Sequence, residues 1–251
     1  PPPGTRKKEV AVTGSHSPRA ARRRGGFFSQ RSRMKITKIE PQKKRPGRRS
    51  IFADGVFLIG VAADTLVRFG LRTGDEITEA LLREIEHAEE VLGAKSAALR
   101  SLAVRPRTER EIRDTLREKE FSDPVAAETI AALKEARLLD DAQFARSYIR
   151  NAVTLRPSGR ILLKRKLLLL GVGKMLAEEA LDEILGGISQ EEEAGRAASA
   201  FVARKSHARN DGGKLRQQLT AYLLRRGYTW DVVQQAVRGA LKGERSEGED
   251  L

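Results

Sequence analysis

Apolar residues between positions 158 and 185 follow a helical period that is broken once, at a glycine. Leu163 and Leu167 are one turn apart, Gly171 and Val172 follow, and Leu176, Ala177, Ala180, Leu181 and Ile184 resume the spacing. The same skeleton lies 51 residues earlier as Ile112, Leu116, Phe121, Val125, Ala126, Ile130 and Leu133. It recurs 56 residues later as Leu219, Leu223, Tyr228, Val232, Val233, Ala236, Val237 and Ala240. The pattern predicts three copies of one helical unit, spanning 94–138, 139–187 and 189–242, with nine helices in groups of three. A unit of this kind cannot bury its apolar stripe alone, so neighbouring copies must stack.

The breaks have a mechanical reading. If Gly171 is the left-handed residue just past a helix, Leu167 and Val172 occupy the two positions whose side chains touch in a Schellman cap. Leu223, Gly227 and Tyr228 repeat the arrangement. The first copy has Leu116 and Phe121 at the same spacing but Glu120 in place of glycine, so that end is either strained, by on the order of 1 kcal/mol, or built differently. Helix starts agree with this phasing. Thr108 with Glu111, and Ser189 with Glu192, read as capping boxes, and Asp123-Pro124 reads as a cap with a first-turn proline.

Upstream the period changes. Ile36 and Ile39 precede Pro41, a basic turn runs from Lys43 to Arg49, and Ile51 and Phe52 lead to Asp54-Gly55 before Val56, Phe57, Leu58, Ile59 and Val61. Aspartate-glycine between two such runs is a strong hairpin signal. Residues 34–92 are therefore expected to form a small antiparallel sheet of about three strands, marginal without helical cover. A short helix follows at 62–69, Asp75 caps a helix from Glu76 to about Leu92, and Gly93 marks a hinge. The predicted fold class is mainly α: tandem three-helix repeats preceded by a small antiparallel β-hairpin or sheet with a helix.

Composition narrows the function classes. The chain has no cysteine, so disulfide and thiol chemistry are absent. No apolar run approaches the roughly 20 residues of a membrane span. The net charge is +14, and residues 1–49, with 16 Lys or Arg against 2 acids, carry all of it. Residues 1–33 are expected to be a disordered basic extension, with Met34 as the natural start of the protein and a basic nucleic-acid-binding arm as the alternative; 243–251 reads as a disordered polar tail. Within the repeats charge is segregated: 142–177 holds eight basic residues and no acid, 178–193 seven acids and no base, and 194–230 eight basic residues and only Asp211.

The basic blocks are the candidate site. Arg146 and Arg150 are one turn apart, Arg156 lies in a connection, and Arg160 and Lys164 are one turn apart on the next helix, with Arg165 and Lys166 alongside. Lys205, Arg209, Lys214, Arg216, Arg225 and Arg226 offer a second, weaker surface. A solvated helix face is the bland reading, but 36 residues without an acid are unlike a solubilising surface, which mixes signs. Few aromatics interleave with the cations, so phosphate or acidic-protein contact is favoured over base stacking.

Catalytic readings fail. Gly171, Gly173 and Lys174 suggest a phosphate loop, but Leu168 stands where it needs glycine and Met175 where it needs serine or threonine. His16, His87 and His207 have no metal-ligand spacing. Asp140-Asp141 and Glu178-Glu179 fit helix starts and exposed turns, and Trp230 is expected to pack the last repeat. No cofactor or metal is expected.

The segment LDDAQFARSYIRN, Leu139 to Asn151, followed by Arg156, Gly159, Leu163, Leu167, Gly171 and Val172, resembles the central signature of the RecX family, bacterial regulators of the RecA recombinase. Arg105 to Leu116 is similar to the first repeat of that family, and Arg226-Gly227-Tyr228 with its following helix to the third. Met34 to about Leu92 is similar to the β-rich extension of its longer members. Glu120 and Leu170 depart from the family pattern. The resemblance implies an elongated, curved array of repeats in a cytoplasmic, monomeric, non-enzymatic protein that binds the RecA filament on single-stranded DNA. There it would hinder filament growth and lower the ATPase, strand-exchange and coprotease activities. From the charge pattern, Arg146, Arg150, Arg156, Arg160 and Lys164 are expected to carry the contact, helped by the third repeat, with weak non-specific nucleic-acid binding besides. The alternative is a helical-repeat protein that binds DNA or RNA directly.

Overall fold

A computed structural model describes residues 33–205 and 212–247, so the expectations for 1–32, 248–251, His207 and Arg209 lie outside the described residues. The chain divides into two compact units at Glu89/Glu90.

The first unit is a four-stranded antiparallel sheet with helical cover. Strands β1 (Met34–Gln42), β2 (Arg45–Ala53) and β3 (Val56–Ala62) are followed by helix α1 (Ala63–Phe69), the two-residue strand β4 (Glu76–Ile77) and the start of helix α2 (Glu79–Val104). The sheet order is β3-β2-β1-β4. Asp54 (φ 49°) and Gly55 (φ 81°) both adopt positive φ, as the tight β2–β3 turn requires. Ile36, Ile51, Val61, Leu71, Ile77 and Ile85 form the core.

Three expectations for this unit change. There is a fourth strand, because Asp75 is spent on a turn: its carboxylate accepts from Arg72 N at 2.7 Å and its carbonyl from Ile36 N at 2.8 Å. Thr78 caps α2 instead of Asp75, its hydroxyl accepting from Leu81 N at 3.2 Å. Gly93 does not end the helix, since α2 runs through it with the Phe121 ring against that position. One interaction was unreadable from the sequence. The Glu89 carboxylate, buried on α2, accepts from Ala62 N at 2.7 Å and from the Thr65 hydroxyl, and pairs with Arg48 at 2.8 Å.

The second unit holds the repeats. The later part of α2, α3 (Glu109–Glu118) and α4 (Asp123–Glu135) enclose Ala94, Ala97, Ala98, Ile112, Leu116 and Leu133. Helices α5 (Asp141–Leu155), α6 (Arg160–Leu169) and α7 (Lys174–Leu185) enclose Ala145, Ile149, Leu163, Leu167 and Leu181. Helices α8 (Gln190–Lys205), α9 (Gly212–Arg225) and α10 (Trp230–Glu247) enclose Phe201, Leu219, Leu223, Tyr228 and Val233. The periodic positions found in the sequence are thus the three cores, but each repeat buries its stripe among its own three helices, so stacking is not what covers it. Helix α10 continues five residues past the expected end at 242. Trp230 does not pack the last repeat: as the first residue of α10 it is 57% exposed.

The caps follow the sequence reading closely. Thr108 and Glu111 form both bonds of a capping box, whereas at α8 only Glu192 N to the Ser189 hydroxyl (3.2 Å) is made. Ser122, one residue before Asp123, occupies the N-cap of α4, and Pro124 lies in its first turn. The three middle helices all end in Schellman caps. Val172 N donates to Leu167 O at 3.0 Å, Tyr228 N to Leu223 O at 3.4 Å, and Phe121 N to Leu116 O at 3.1 Å. Gly171 (φ 91°) and Gly227 (φ 82°) are left-handed, and so is Glu120 (φ 64°), which settles that end as strained.

Repeats join where the start of one middle helix meets the stop of the next. Between the first two, the Thr108 hydroxyl donates to Leu170 O at 2.6 Å, and Glu109 N donates to the Asp141 carboxylate at 2.8 Å. Between the second and third the bridge is backbone to backbone, Gly159 N to Arg226 O at 2.8 Å and Ile161 N to Gly227 O at 3.1 Å. Arg226 Nη1 also donates to Pro157 O at 3.0 Å. These bonds hold three neighbouring repeats in register and shape the surface they share.

Candidate functional site

Helix α5 presents Phe144, Ser147, Tyr148, Asn151 and Leu155 along one face, at the spacing of successive turns. Three adjoining depressions follow that face, of about 520, 540 and 720 Å³. The first and second share Pro106, Phe144 and Ser147, and the second and third share Tyr148, Asn151 and Lys166. Together they make one trough from Leu99 and Ala103 of α2, across the second repeat, to Tyr222 and Arg225 of α9.

Its floor is apolar and aromatic. Phe144 and Tyr148 stack at 6.0 Å between centroids and 21° between planes. Burial pushes the Tyr148 phenol above its ordinary pKa, so it stays neutral. In the third repeat Arg226 lies 5.0 Å over the Tyr222 ring. The rim is cationic: Arg105, Arg107, Arg137, Arg156, Lys166, Arg225 and Arg226 line the trough against one acid, Asp140. That acid is itself occupied as the N-cap of α5, accepting from Ala142 N at 2.8 Å and Gln143 N at 2.9 Å. Arg105 is held at 2.5 Å by Glu111, with Arg107 at 3.5 Å from the same carboxylate. Among the described residues Arg137, Arg156, Lys166 and Arg225 form no ion pair.

The expected site residues separate into groups. Arg146 pairs with Glu183 at 2.6 Å, Arg160 with Asp182 and Glu178 at 2.6 Å each, and Lys164 with Glu178. The hydrogen bond to Glu183 raises the Arg146 pKa, the bond to Asp182 followed by that to Glu178 raises that of Arg160, and bonds from Lys164 and Arg160 lower that of Glu178. These three cations therefore face the acids of α7. Arg156, Lys166, Arg225 and Arg226 line the trough. Arg150, Arg165, Lys205, Lys214 and Arg216 are exposed and outside it. Sequence reasoning missed Phe144, Tyr148 and Tyr222 as a surface, although the spacing of Phe144 and Tyr148 at i and i+4 was a signal for it.

No helix among the described residues is long and apolar enough to cross a membrane. Fold and site together define a protein of stacked three-helix repeats with a cation-rimmed trough running across all three. Four RecX family models match in chain order: the regulatory protein RecX N-terminal domain at 34–78, and the first, second and third RecX three-helix domains at 94–133, 140–181 and 191–237. The chain is 33% identical to regulatory protein RecX of Bacillus subtilis (strain 168), over 80% of this chain and 75% of that protein. It is 32% identical to that of Clostridium perfringens (strain 13 / Type A), over 85% and 99%. A crystal structure of regulatory protein RecX aligns with a TM-score of 0.65 at 28% identity, covering 80% of this chain and 97% of the other. RecX from Lactobacillus salivarius aligns at 0.53 and 25%, covering 61% and 97%. The chain belongs to the RecX family of regulatory proteins.

Proposed function

We propose that this protein acts as a monomer in the cytoplasm, without catalysis, binding the RecA nucleoprotein filament on single-stranded DNA. Binding inhibits filament growth and, through it, ATPase, strand exchange and coprotease activity. The observation that carries the reading is the trough: its apolar and aromatic floor, ringed by cations, suits a polypeptide surface offering apolar side chains and carboxylates. Arg156, Lys166, Arg225 and Arg226 supply the contact at its rim. Arg146, Arg160 and Lys164 hold α7 against α5 and α6, and contribute less to the partner because their charge is already met.

Titration of the full chain into RecA, ATP and single-stranded DNA tests this, with binding to free DNA measured alongside. The triple variant R156E/K166E/R225E should raise the half-inhibiting concentration on the order of tenfold at unchanged helicity. Unchanged inhibition overturns the assignment. The Phe144–Tyr148 stack and the Tyr222–Arg226 pair favour a second reading, in which the trough takes single-stranded nucleic acid directly by stacking. Inhibition that appears only at concentrations sufficient to coat free DNA, and that falls with F144A/Y148A, selects that reading.

A further inference from the structure

The longest consecutive run of cations without an ion pair among the described residues is not in the repeats. It lies in the first unit, at the tip of the hairpin formed by β1 and β2. Strand β3 stops at Ala62, opposite Arg48, while β1 and β2 remain paired out to Gln42 and Arg45. Residues 42–47 therefore extend as a ribbon two strands wide, turning at Lys43-Lys44. Lys43, Lys44, Arg45, Pro46 and Gly47 are all exposed, and residues 41–49 include no acid.

The base of this arm is fixed. Arg48 is anchored to the buried Glu89 carboxylate and donates to Gly60 O at 2.5 Å. The register shifts between Pro41 and Gln42, leaving Pro46, Gly47 and Arg48 as an extra bulged segment. Arg49 Nη1 holds that bulge by donating to Pro46 O at 2.7 Å and Arg48 O at 3.2 Å. Carbonyl contacts of this kind orient the guanidinium without cancelling its charge. Lys43, Lys44 and Arg45 form no ion pair among the described residues, unlike Arg146, Arg160 and Lys164.

We infer that this hairpin is a DNA-binding arm that enters a groove of duplex DNA and contacts its phosphates. A two-stranded ribbon has the width a duplex groove admits, and cations without apolar anchors suit phosphate contact. A protein partner would need an apolar or aromatic centre in the contact, and the tip has none. Single-stranded binding would need a stacking platform, but the aromatic pair of this sheet, Phe52 with Phe57, lies at the opposite end of β2. The exposed Pro46 at the bulge is the one rigid apolar wedge the arm carries.

The test uses the full chain with a short labelled duplex, and the same strand single, titrated between about 50 and 200 mM salt. Charge reversal, K43E/K44E/R45E, should weaken duplex binding by about tenfold or more at the low end of that range. It should also flatten the salt dependence by close to three phosphate contacts, a change in log–log slope of about 2.7. Neutralisation, K43Q/K44Q/R45Q, should give the same slope change with a smaller loss of affinity. The trough variant R156E/K166E/R225E should keep the duplex slope. Unchanged duplex affinity and slope in both hairpin variants would overturn the proposal, as would an equal loss on the single strand, which would mark a generic polyanion surface. Inhibition of RecA assayed without duplex reads the trough separately, so the two assignments fail independently.

Discussion

The two junctions between repeats use the same pair of helix ends but different atoms. Thr108 and Gly159 are equivalent N-caps with nearly the same backbone, φ −82° and ψ 164° against φ −79° and ψ 163°. At the first junction a buried threonine hydroxyl spans the gap to Leu170 O; at the second the N-cap has no side chain, and the backbones meet directly. A Cβ on Gly159 would lie 2.5 Å from Tyr228 N, and one on Gly227 only 2.8 Å from Leu162 Cα. At the first junction a Cβ on Gly171 would meet the Arg110 side chain, its Cγ at 2.9 Å. Glycine at a stop thus answers two separate demands, positive φ and close approach of the neighbouring repeat. Glu120 ends the first repeat's middle helix with positive φ alone, so a side chain is tolerated there at the cost of strain.

The largest effect expected from breaking this comparison is at the second junction. Gly227→Ala adds backbone overlap to a left-handed conformation and should destabilise the chain by about 3 kcal/mol or more, read as a lower midpoint in urea. Thr108→Ala removes a helix cap and strands the Leu170 carbonyl, at a cost of about 2 kcal/mol in the same measurement. Smallest and opposite in sign is Glu120→Gly, which should stabilise by up to about 1 kcal/mol by relieving the left-handed strain, less the extra freedom glycine gives the unfolded chain. A loss of stability in that variant would mean that the Glu120 side chain makes a compensating contact.

A similar contrast separates the basic regions. Along the chain, the cations of 142–177 look uncompensated because the acids that meet them fall later, in 178–183. Folding lays α7 against α5 and α6 and pairs Arg146, Arg160 and Lys164 with those acids. Solvent screens exposed pairs of this kind, so their main consequence is to remove free charge from that face. At the β1–β2 tip no later element among the described residues brings an acid to Lys43, Lys44 or Arg45. A charge run becomes informative only when the elements packed beside it are known.

Much of the fold was legible from local rules. The apolar period located the three cores, the glycine-and-apolar stops located the Schellman caps, Asp54-Gly55 located the turn, and Thr108 with Glu111 located a cap. The misreadings came where a residue served a distant partner. Asp75 was taken by a turn and by β1, and Gly93 was carried inside α2 against Phe121; Trp230, at the start of α10, is simply left exposed. The trough was illegible for the same reason, since its walls come from α2, α5, α6 and α9.

The sequence by itself determined the number of repeats, their apolar faces and the points where their helices stop, because each depends on residues within a turn or two of one another. The tertiary structure alone decided which cations remain free, where three repeats open a common trough, and why Gly159 and Gly227 must lack side chains. Those properties arise from atoms brought within a few ångströms across tens of residues, and that proximity is set by how the repeats stack.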